Sequence, residues 1–252
     1  MHFRTNLFDG LSRGLKKAAG SICLFILVAM PFPETSSGAE KDSGEHLPMY
    51  GQPEFVRPDH LKKADDAFTR DSIARYGSRQ AAGDAFASEG WQALKNNQRD
   101  VALERFNRSW LLDPKNYQAF WGFAAILSEQ GKLAAAIEQL ETARELNDEP
   151  SQRVALLSDL GSLYSEYAAR MPAEQQLDRA RHFVLANNRF VESVEIAPEF
   201  APAWRAWAIS LYQQERYSEA WVKAQRALEL KGEPFPVDFL EKLAKKRGGG
   251  DK

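Results

Sequence analysis

From residue 58 onward, apolar and polar positions follow the period of an amphipathic helix. Leu61, Ala64, Phe68, Ile73 and Tyr76 recur near three- and four-residue spacing. Pro58-Asp59 supplies a start and Gly77 a stop, so the pattern predicts a first helix over residues 58–77. No stretch shows the sustained two-residue alternation of a half-buried strand. Asn, Gly and Pro fall instead at about helix-length intervals. The expected fold class is all-α.

The same pattern then repeats. Placing Pro114 over Pro198 brings small residues and aromatics into equivalent places. One unit, residues 83–116, carries Phe86, Gly90, Ala102, Phe106, Ser109 and Pro114. The next, 117–150, carries Phe120, Phe123, Ala124, Leu127, Gly131, Ala136, Leu140 and Ala143. A later one, 201–234, carries Trp204, Trp207, Ala208, Leu211, Tyr217, Ala220, Ala224 and Ala227. The third unit, about 151–198, keeps Leu157, Leu160, Gly161 and Tyr164, then Ala186, Phe190, Ser193 and Pro198. Its spacing from Gly161 to Ala186 is 25 residues, against 12 from Gly90 to Ala102, so thirteen are inserted. Met171-Pro172 reads as a turn before a new helix start. Both helices of this unit are therefore expected to be long and to project past their neighbours.

Small residues in phase imply close helix approach. Gly90, Ala124, Gly161 and Ala208 fall on the first helix of each unit, and Ala102, Ala136, Ala186 and Ala220 on the second. Such side chains let helix axes come within about 8–10 Å, while aromatics fill the wedge between neighbours. One unit alone would leave its apolar face in water, so several must stack.

These residues resemble the tetratricopeptide repeat, a helix–turn–helix of about 34 residues, over about 150 residues of the chain. Glu89 and Ala93 depart from the family's Leu and Tyr in the first unit. The resemblance implies a right-handed α-solenoid of about four helix pairs over residues 78–234. The helix at 58–77 would precede it. A capping helix at 235–247, with Phe239, Leu240 and Leu243 inward, and a tail at 248–252 would follow. It also implies a concave wall of first helices, on which Trp91, Leu94, Lys95, Gln118, Trp121, Arg205, Ile209 and Tyr212 would form a groove for a protein or peptide. A competing reading makes Trp91 and Trp121 wedges between helices. The family's carboxylate clamp is missing, since Ala87 and Trp91 occupy its Lys and Asn places.

Composition adds a compartment and removes chemistry. Arg4, Arg13, Lys16 and Lys17 precede an apolar run at 18–30, followed by Pro31, Pro33 and Ser37-Gly38-Ala39. That is the order of a signal peptide over residues 1–39, with a flexible arm expected at 40–57. The expected location is outside the cytoplasm, the periplasm in a Gram-negative bacterium; retention of residues 18–32 as a membrane anchor is the alternative. The only cysteine, Cys23, lies in the leader. Net charge is −2 with both signs interspersed, so no basic stripe invites nucleic acid. The four histidines, His2, His46, His60 and His182, have no metal-motif spacing. No phosphate loop or nucleophile elbow is present. The expectation is a non-enzymatic interaction scaffold without cofactor or metal; a tethered structural subunit and an enzyme's accessory subunit are its rivals.

Overall fold

A computed structural model describes residues 59–147 and 149–249. The leader, the arm and the end of the tail lie outside the described residues. Among those described, there are ten α-helices and no strand. They are α1 (Asp59–Tyr76), α2 (Arg79–Lys95), α3 (Arg99–Leu112), α4 (Tyr117–Glu129) and α5 (Leu133–Leu146). They continue with α6 (Pro150–Arg170), α7 (Gln176–Ile196), α8 (Ala201–Gln213), α9 (Tyr217–Glu229) and α10 (Phe239–Gly249).

Four pairs pack most extensively: α2 with α3, α4 with α5, α6 with α7, and α8 with α9. Each pair then packs on the next through α3 on α4, α5 on α6 and α7 on α8. First helices also meet, α2 with α4 and α6 with α8. At one end α1 covers α2, placing Phe68 and Tyr76 against Phe86. At the other, α10 packs on α9 with Phe239 and Leu243 buried.

Local chemistry explains the helix ends. Ser78 accepts a hydrogen bond from the Ala81 amide, and Asn116 accepts from the amides of Gln118 and Ala119; both satisfy otherwise unpaired first-turn donors. Three pairs turn in the same way. Asn97, Gly131 and Glu215 each have left-handed backbone, with φ of 58°, 76° and 61°. The next amide returns to the carbonyl five residues back: Gln98 to Ala93, Lys132 to Leu127 and Arg216 to Leu211. This closure satisfies the last carbonyls of the first helix.

The core is built by glycine against phenyl. A Cβ on Gly90 would lie 2.6 Å from Cε1 of Phe106, and one on Gly161 would lie 2.9 Å from Cε1 of Phe190. A Cβ on Gly122, one pair further along, would also overlap the Phe106 ring. Phe106 is thus held between the bare backbones of α2 and α4, and is fully buried. Ala102, Ala136, Ala186, Ala208 and Ala220 have no exposed surface, and Ala124 almost none.

The insertion is distributed between two helices. Helices α6 and α7 have 21 residues each, against 13 to 17 in the other paired helices. Arg170 ends α6 nine residues after Gly161, whereas the other first helices end five after Gly90, Ala124 and Ala208. Similarly, α7 begins ten residues before Ala186, where the other second helices begin three before their alanine. The two extensions pack on each other: Tyr167 meets His182 edge-on at 4.9 Å, and Ala168 is buried.

Alanine ordinarily stabilises a helix over glycine by about 1 kcal/mol. At Gly122 overpacking of about 1–3 kcal/mol reverses that sign. Gly122→Ala should therefore lower the urea midpoint, whereas Gly248→Ala, where nothing lies within 4 Å, should hold or raise it.

Candidate partner-binding surface

The proposed groove residues divide between two cores. Trp91, Leu94 and Trp121 belong to the large cluster built from α2 to α7, while Ile209 and Tyr212 belong to a second cluster of α8, α9 and α10. Trp91 and Trp121 do come together, their rings edge-to-face at 5.7 Å. Trp91 also packs on Phe106 at 5.3 Å.

Two of these residues, Trp121 and Ile209, are buried and cannot serve as exposed anchors, and Arg205 and Tyr212 are engaged within the fold. Trp121 is 1% exposed and donates Nε1 to Oδ2 of Asp159 at 3.0 Å, so it wedges α4 against α6. Ile209 is buried too. Arg205 donates Nε to the Pro234 carbonyl at 3.0 Å and lies over Phe235, tying down the segment after α9. Tyr212 packs on Tyr217 and Phe239, beneath the terminal helix. The physical reason is the packing around α4: it is paired with α5, lies on α3 with Gly122 against the Phe106 ring, and is buried from Ala119 to Leu127.

Apart from the half-exposed Arg205 and Tyr212 of α8, what stays accessible lies on α2 and α4. Trp91 and Leu94 are half-buried and Lys95 is exposed, all on the last turns of α2. Gln118 is half-buried at the start of α4, near the Asn116–Asp84 hydrogen bond of 2.7 Å. It therefore sits at the opposite end of the wall from Lys95. Trp91, Leu94 and Lys95 form one apolar-and-basic edge, supported from below by Trp121.

Sequence reasoning missed the polar groups that hold this wall. Asp159 interrupts the apolar run at 154–164, and an acid there was the available signal for a buried acceptor. Glu141 of α5 accepts from Tyr164 of α6 at 2.8 Å and from Arg144, and Arg189 of α7 reaches it at 3.3 Å. Burial alone would raise the Glu141 pKa, but Arg144, Tyr164 and Arg189 outweigh it and hold the carboxyl below its usual range. Burial and Glu141 together push the Tyr164 phenol up. Burial also raises Asp84 despite the amide of Asn116. A further network joins α7 to α8: Trp207 Nε1 donates to Asn187 at 3.0 Å, and Asn187 donates to Gln214 at 2.9 Å.

These polar groups tie helices together: Asp159 joins α6 to α4, Glu141 joins α5 to α6 and α7, and Asn187 joins α7 to α8. His182 places Nδ1 2.7 Å from the Asp178 carbonyl. Among the described residues no group of three or more His, Cys, Asp or Glu is placed to hold a metal ion. No helix among them is long and apolar enough to cross a membrane. No family model matches the chain, and no curated protein matches it.

Two outcomes follow. Trp121→Ala should cost about 3–5 kcal/mol of stability in denaturant unfolding, a core effect rather than a binding effect. Glu141 has a depressed folded-state pKa, so its stabilisation is present above the ordinary carboxyl range and fades as pH falls through the folded value. Glu141→Gln should lower stability by about 2 kcal/mol at pH 7. The gap from the native chain should close as pH drops below 4.5.

Proposed function

We propose that this chain is an exported tetratricopeptide-type scaffold that holds a protein or peptide partner and performs no catalysis. The observation carrying this reading is the recurrence of one hairpin design. Four antiparallel pairs follow one another, with glycine or alanine at positions 90, 124, 161 and 208 and alanine at 102, 136, 186 and 220. The shared left-handed turn residue in three of them supports the same design. In this reading the pairs stack as a right-handed α-solenoid, with α1 and α10 covering its ends as terminal caps do.

The partner meets the edge formed by Trp91, Leu94 and Lys95. A half-buried indole fixed from beneath is a pre-organised anchor, and such aromatics carry a disproportionate share of binding energy. The lysine favours a peptide with an acidic group beside its apolar side chains. Export rests on the order of basic, apolar and small residues in 1–39; a retained leader would make the same scaffold a tethered subunit.

Immobilised protein exposed to a native envelope fraction should retain a specific protein identifiable by mass spectrometry. Leu94→Asp with Lys95→Glu should weaken that capture about tenfold or more, while Lys63→Glu on the exposed face of α1 leaves it unchanged. Equal capture by both variants would remove the proposed edge, and no specific capture would remove the scaffold reading. N-terminal sequencing of the native protein should start at Glu40; an intact leader would show tethering instead.

A further inference from the structure

The two signs of charge are interspersed along most of the chain, but α10 breaks the pattern. Lys242, Lys245, Lys246 and Arg247 fall within six residues with no acid among them, and Glu241 is the only acid of the helix. Four bases against one acid give α10 a net of +3; the chain as a whole carries −2, so the remainder carries −5.

The fold holds this charge outward. Phe239 and Leu243 are buried against α8 and α9. At about 100° per residue, Lys242, Lys245 and Lys246 share roughly a third of the helix circumference beside them. Lys245, Lys246 and Arg247 are exposed and Lys242 is half-buried. In α5, α6 and α9 the last-turn arginines, Arg144, Arg170 and Arg226, each pair with a glutamate of their own helix. Among the described residues, none of the four bases of α10 meets a carboxylate. Arg247 lies instead over Trp221 at 4.5 Å and Lys246 over Tyr217 at 5.8 Å. An aromatic face holds a cation in place and leaves its charge unneutralised.

We propose that α10 docks this chain on an anionic phospholipid bilayer. It is the last helix of the array, resting on α9, so its outward side stands clear of the other helices and a flat surface reaches the bases together. Lysines on one helix enclose no cleft in which a peptide side chain could be read. They offer charge density, and an anionic lipid surface meets it over a plane. Val237, 84% exposed just before α10, adds an apolar side chain at the same end, a combination suited to the headgroup layer. The same surface repels the acidic remainder, so the protein stands on this end. The Trp91 edge lies on α2, at the other end of the array, and the docking depends neither on what binds there nor on the fate of residues 1–39.

Acylation of lysines in the full chain, read site by site by mass spectrometry, separates α10 from any contribution of the leader. Vesicles of phosphatidylglycerol and phosphatidylcholine in equal parts should lower labelling of Lys242, Lys245 and Lys246 about fivefold or more. Lys115 and Lys132, both exposed elsewhere on the array, should label as before. Phosphatidylcholine alone should protect none of them, and salt at about 0.5 M should abolish the protection. In Lys245→Glu with Lys246→Glu, Lys242 should lose its protection; both positions are exposed, so circular dichroism should show this variant folded. Labelling indifferent to the anionic vesicles, protection matched by phosphatidylcholine or by polyglutamate, or protection of Lys242 that survives the double variant would each overturn the proposal.

Discussion

Two phenyl rings lying on bare backbone determine how the helices meet. Phe106 fits between Gly90 and Gly122, and Phe190 fits against Gly161. The complement is graded along the chain. Where the second helix carries phenylalanine, at 106 and 190, the first carries glycine; where it carries Leu140, the first carries Ala124. In the last pair Ala208 answers Ala224, and Trp207 fills space by stacking on Phe190 at 6.3 Å. In the first three pairs the larger side chain on one helix meets the smaller on the other, as a densely packed interior requires.

That fit decides which side chains stay accessible. Packing of α4 and α6 among their neighbouring helices carries Trp121, Ala125, Ser158 and Ser165 out of solvent. Buried polar groups then need partners within the protein. Asp159 accepts from Trp121, and Ser165 donates to Gln213 across α6 and α8 at 2.6 Å. Apolar side chains stay accessible at the margins: Trp91 and Leu94 at the end of α2, and Leu177 and Val184 on the outer side of the lengthened α7. The insertion accordingly supplies surface rather than core.

The all-α class was readable because apolar residues recur at helical spacing with Gly, Pro and Asn between the runs. The lengthened third pair was readable because Gly161 and Ala186 stand too far apart for a short turn. Exposure was not readable. Trp91 and Trp121 occupy similar periodic places, yet Trp121 is sealed by α6 and Trp91, nearer the end of the array, is sealed on one side only. Such differences come from neighbours distant in sequence. The left-handed Glu215 was equally hidden, since only glycine or asparagine advertises that conformation. Gly122 adjoins Trp121 and Phe123, and nothing local shows that it receives a ring from the preceding pair.

If glycine is present at 161 to admit the ring of residue 190, substitutions at the two sites must be coupled, and a double-mutant cycle reads that coupling directly. Gly161→Ala should destabilise the native chain and cost markedly less once Phe190→Leu has shortened the opposing side chain. The account predicts a coupling of about 1 kcal/mol or more between the sites. Strictly additive losses would show that the helices are spaced by something other than the fit of phenyl on glycine.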